Sequence, residues 1–184
     1  CPVRFLPLHR RLIAYLLPAS VLLCTLSSLT MRRAFADAGG GVIISEVMWM
    51  GSDISVSDEW VEIACAGTID CTLAGWSLTS LKSTGEEAVI LSFPPGSVIP
   101  AGGVRVISNF PAASSRLADD PWLQTSAMSL PNTKLLLRLR DATGAVRDEA
   151  DDGIGNPFAG ANPSGGTKAS MERIDLLLPG NSSS

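Results

Sequence analysis

At 184 residues the chain has room for one domain core of ordinary size and a targeting segment, and two full domains do not fit. Five of its 14 basic residues and none of its 18 acidic ones precede Ala36, so the part after Ala36 holds nine basic against eighteen acidic residues, a formal charge of −9. Such a charge repels phosphate backbones and excludes non-specific nucleic-acid binding. The one histidine, His9, lies ahead of Ala36, which removes Ser-His-Asp and Cys-His pairs and any histidine-bearing zinc site from the rest of the chain.

Residues Leu12 to Met31 carry no charge and follow Arg4, Arg10 and Arg11, the basic and apolar regions of an export signal. Ala34-Phe35-Ala36 reads as a small-x-small cleavage site with Asp37 as the first mature residue. The apolar run is also about as long as a membrane span, and Arg32 and Arg33 follow it, so a retained anchor over residues 12–31 stands as the alternative to cleavage. Cys24 is discounted as a lipid-attachment site because bulky Leu23 precedes it. Residues 1–36 are therefore assigned as signal peptide or membrane anchor and 37–41 as a linker.

From Val42 onward the apolar period is two, with Gly, Pro, Asn and Asp between short runs. Strands are predicted over Val42–Trp49, Glu59–Cys65, Leu73–Leu81, Ala88–Phe93, Gly103–Ser108, Thr133–Arg140, Ala145–Glu149 and Lys168–Ile174. In "KLLLRLRDATGAVRDEA", Leu135, Leu137 and Leu139 share one face, Arg138 and Arg140 share the other, and Asp141–Gly144 supplies a turn. Seven or eight such strands predict an all-β, antiparallel β-sandwich, preceded by the signal or anchor helix. Cys65 and Cys71 are expected to pair in an oxidising compartment, as a clamp across a tight β-hairpin. Two longer loops, Asn109–Pro131 and Asp151–Thr167, are places for ligand contacts.

The stretch "SEVMWMGSDISVSDEWVEI", Ser45 to Ile63, raises the question of a site. Val61 and Ile63 are expected on one face of a strand, Trp60 and Glu62 on the other. Trp49 and Trp76 are expected to fill or cap the core. An exposed aromatic platform for sugars or peptides is best carried by Trp60 or Trp122. Glu46, Asp53, Asp58, Glu59 and Glu62 are candidates for a calcium site or an acid/base pair, against the reading of a solvated edge whose charges discourage strand addition. In "DEADDGIGN", Asp148, Asp152 and Gly153 match positions of a calcium loop, but Ala150 and Ala159 stand where ligands belong. Asn181-Ser182-Ser183 fits a glycosylation acceptor. No catalytic residue, metal ligand or cofactor is assigned.

"VIISEVMWMG", "DEWVEI", "LAGWSLTS", "FPPGSVIPAGGVRVIS", "LLLRLRDATGAVRDEA" and "SMERI" follow in an order that resembles a lamin tail domain of the bacterial, exported type. The resemblance implies an immunoglobulin-like β-sandwich over residues 42–178 and a structural role for Asp58-Glu59-Trp60. Similar sequences continue past "LLLPGNSSS" into a Trp-containing segment, which implies that residues 179–184 are a truncated tail. The implied function is a non-catalytic interaction or adhesion module, secreted or at the cell surface, and membrane-anchored if the N-terminal segment stays uncleaved. The alternative is an accessory fragment of a larger extracellular enzyme such as a nuclease or phosphatase. The expected partner is a protein or a cell-surface glycan, engaged through the Asn109–Pro131 loop around Trp122 or the Asp151–Thr167 loop, with Trp60 as the other candidate.

Overall fold

The structure, a computed structural model, describes residues 41–181. The signal or anchor assigned to 1–36, its cleavage site, most of the 37–41 linker and Ser182 to Ser184 lie outside the described residues. Within them, no helix is long and apolar enough to cross a membrane.

The described chain is all-β, with eleven strands and a single 3₁₀ turn at Ala112–Ser114. Two sheets carry the core. The first contains β1 (Val42–Met48), β2 (Trp60–Cys65), β7 (Val104–Ser108), β8 (Leu123–Gln124) and β11 (Met171–Glu172), in the order β11-β1-β2-β7-β8. In the second, β10 (Val146–Ala150), β9 (Leu137–Arg140), β4 (Ser77–Leu81) and β5 (Glu87–Ser92) pair in the order β10-β9-β4-β5. A small pair, β3 (Cys71–Thr72) with β6 (Val98–Ile99), stands beside them.

Alternation builds the core. Val61 and Ile63 of β2, Ile107 of β7, Leu78 of β4 and Leu137 and Leu139 of β9 are all fully buried, and they belong to one apolar cluster. In β1 the period of two breaks at a bulge between Ile44 and Glu46. The extra residue lets Ile44 and Val47 both face inward, an arrangement strict alternation forbids for positions three apart. Each buried side chain of this size contributes about 1.5–3 kcal/mol.

Five of the predicted strands hold to within two residues at each end, and the differences have local causes. The Leu73–Leu81 strand begins only at Ser77, because Gly75 turns the chain at φ 77°. The Thr133–Arg140 strand begins only at Leu137: Lys134 has φ 57°, and Leu135, Leu136 and Leu137 are buried in succession rather than alternately. The Lys168–Ile174 strand shrinks to Met171–Glu172. The two-residue strands β3, β6 and β8 are too short to show a period. β8 also corrects the all-antiparallel expectation, since it runs parallel to β7.

The Cys65–Cys71 disulfide is formed, with Cα atoms 5.9 Å apart. It does not clamp a hairpin: Cys65 ends β2 in the five-stranded sheet, whereas Cys71 begins β3, whose partner is β6. The bond therefore ties the small pair to the main sheet.

Candidate functional site

The acidic stretch around Asp58 is not a solvated edge. β2 lies in the middle of its sheet, between β1 and β7, and Asp58 and Glu59 are 1% and 7% exposed. Asp58 organises the 109–131 loop from beneath: its carboxylate accepts the Ser115 hydroxyl at 2.5 Å and the Arg116 backbone N–H at 3.0 Å. Arg116 in turn forms a two-pronged ion pair with exposed Asp53. Glu59 accepts the Leu130 N–H at 3.0 Å. Burial pushes its carboxyl up to about 7 against the downward pull of that bond. Nothing in the sequence marked Ser115, Arg116 or Leu130 as partners, because they lie more than fifty residues away.

Of the five carboxylates only Glu46 and Glu62 come side by side, across β1 and β2, while Asp53, Asp58 and Glu59 go to separate partners. Glu62 takes the Ser45 hydroxyl and Glu46 takes that of Ser170. Among the described residues no three His, Cys, Asp or Glu side chains are grouped as metal ligands. The 148–156 stretch spends its oxygens on its own scaffold as well. Asp151, fully buried at φ 66°, accepts the N–H groups of Asp152 and Phe158. Asp148 accepts the Ile44 N–H at 2.7 Å and pairs with Arg173 at 2.9 Å.

The tryptophans divide by face. Trp49 and Trp76 are buried in the core, and the Trp49 indole donates to the Ala159 carbonyl across Gly160. Trp122 is half-buried, packs on that core, and lies 6.0 Å from the Phe93 ring. Trp60 is half-buried on the opposite side of β2 from Val61 and Ile63, on the outward face of the five-stranded sheet.

On that outward face the register aligns three carboxylates. Glu46 of β1 stands directly opposite Glu62 of β2 and directly opposite Glu172 of β11. None of the three has an ion-pair partner among the described residues, although like charges opposite one another destabilise a sheet. Cations of the same elements and loops are engaged elsewhere: Lys168 on the Met50 and Ser52 carbonyls, Arg173 on Asp148, Arg105 on the Val104 carbonyl. Trp60 lies one inter-residue repeat along β2 from Glu62, about 7 Å away on the same side. Beside the row, a cleft of about 150 Å³ opens between β1, β11 and the 174–180 segment, lined by Val47, Phe158, Met171 and Leu178 among others.

A fold of this kind, with this motif order, has a match among known families. The family model for the Lamin Tail Domain matches residues 36–153. The chain belongs to the lamin tail domain family. The matched region of this lamin tail domain holds β1 to β10; β11, which supplies Glu172 to the first sheet, and Arg173, which pairs with Asp148, follow it. No curated protein matches the chain.

Proposed function

We propose that this lamin tail domain is an exported, non-catalytic interaction module that docks a protein partner on the outward face of its five-stranded sheet. The observation that carries the reading is the row Glu62–Glu46–Glu172 beside Trp60, a strip of uncompensated negative charge next to an aromatic ring. Such a strip suits a basic protein segment better than a neutral glycan or a nucleic acid, since it offers charge complementarity and a surface for stacking. Export is supported by the basic and apolar N-terminal run and by a disulfide between buried cysteines.

The test is a crosslinking comparison. A photo-reactive residue at Val104, exposed on the neighbouring β7, is offered the surface fraction of producing cells, with and without the changes Trp60→Ala and Glu46→Gln/Glu172→Gln. Adducts that weaken at least tenfold in the variants support the reading. Equal adducts in all three proteins overturn it.

A further inference from the structure

Glu59 lies one residue before β2 and Asn109 one residue after β7, and these strands pair with Trp60 opposite Ser108. The register continues one step further, because the Asn109 N–H donates to the Glu59 carbonyl at 3.2 Å. Residues directly opposite in an antiparallel pair carry their side chains on the same face, with Cβ atoms about 5 Å apart. Here it is the inward face, shared with Val61 and Ile107. Both side chains reach one piece of chain: Oε2 of Glu59 accepts the Leu130 N–H, and Nδ2 of Asn109 donates to the Met128 carbonyl at 3.3 Å.

Two oxygens are left over. Oδ1 of Asn109 is buried and has no hydrogen-bond partner, and Oε1 of Glu59 takes no bond from the described residues. Turning the Asn109 amide over would set its oxygen against the Met128 carbonyl, so that bond fixes which way the amide points. An orphaned buried acceptor needs a donor, and a protonated carboxyl is one.

We propose that Glu59 and Asn109 form a protonation-dependent latch on the 109–131 loop: the neutral Glu59 carboxyl donates its O–H to Asn109 Oδ1 and keeps the loop seated. Loss of that proton to solvent leaves two bare acceptors facing each other. Their repulsion pushes the Asn109 amide off its seat and breaks the Asn109–Met128 bond, which frees the 128–130 segment to lift. The neighbouring charges do not supply an alternative partner. Asp58, on the same element, is held by Ser115 and Arg116; Arg116 pairs with Asp53; Asp120 accepts the Ala112 N–H; Arg105 of β7 turns to the Val104 carbonyl; Asp119 and Lys134 are exposed. Burial is the main cause that raises Glu59 to about 7, within the range an exported domain meets.

Hydrogen exchange of the whole chain, corrected for the intrinsic pH dependence, tests the latch. Between pH 6 and 8.5, the Trp122, Thr125 and Leu130 amides are expected to exchange at least tenfold faster, while those of β9 do not change. Glu59→Gln, which keeps a donor for Asn109 and an acceptor for Leu130, gives a flat profile. Asn109→Ala lowers the midpoint by about one pH unit, because the neutral form loses its acceptor. Identical profiles for the natural chain and Glu59→Gln overturn the proposal. So does a Glu59 carboxyl carbon that titrates by NMR near 4.5 in the natural chain, a measurement that needs no variant.

Discussion

Trp122 shows how one side chain can be legible as an aromatic and illegible as a role. Its backbone N–H bonds to the Val106 carbonyl and its ring packs beside Phe93, so the loop that carries it is stitched to the sheet at that point. Trp122→Ala is expected to lower stability by about 2 kcal/mol, less than for a fully buried ring because this one is half-exposed. Denaturant unfolding measures it, and a change below about 0.5 kcal/mol would mean the ring is a surface group after all. Asp58 makes the same point with a charge: an acidic residue in a polar stretch reads as solvated, yet Ser115 and Arg116, brought over by the loop, supply the donors that let it be buried.

At the scale of elements, β11 does more than its two residues suggest. Arg173, which follows it, reaches Asp148 of β10 and the Glu149 carbonyl, while Asp148 also holds the Ile44 N–H of β1. One buried ion pair thus fastens the edges of both sheets to the end of the described chain. Arg173→Ala is expected to cost about 3–5 kcal/mol, since it strands a buried carboxylate. Arg173→Lys should recover only part, because a lysine cannot serve two acceptors with one planar fork. Equal stability of Arg173→Ala and the natural chain would show that the strap is dispensable. The disulfide acts at this scale too. Replacing both Cys65 and Cys71 with Ala is expected to lower stability by about 2 kcal/mol, as loop entropy gives for so short a span. An intact mass showing two thiols in exported material would contradict the bond.

For the whole molecule, buried and paired carboxyls set opposing pH dependences. Glu59 is raised from 4.5 to about 7, so its stabilising contribution is complete below pH 4.5 and is lost as pH rises through 7, about 3 kcal/mol in all. Asp148 and Asp151, also raised by burial, act in the same direction. Glu87 is held down at about 2, chiefly by Arg140 with help from Thr79 and Arg138. Its contribution is complete above pH 4.5 and disappears as pH falls towards 2. The melting temperature is therefore expected to peak near pH 4.5–5. Glu59→Gln should flatten much of the decline between pH 5 and 7 and leave the acid limb unchanged. An unaltered decline would place the titrating group elsewhere.

The sequence by itself determined the period-two core, the two cysteines that pair, and the ordered motifs that mark a lamin tail domain, because each is carried by neighbours along a strand. Leu137, Leu139, Val61 and Ile63 had to face inward wherever their strands went. Only the tertiary structure decided which strands lie side by side, and with that the fate of every polar group. It placed β2 inside a sheet rather than at an edge, set Glu46 between Glu62 and Glu172, and put Asn109 opposite Glu59. Strand register joins residues as far apart as Glu46 and Glu172, 126 positions, and no local pattern of charge or hydrophobicity encodes such a pairing.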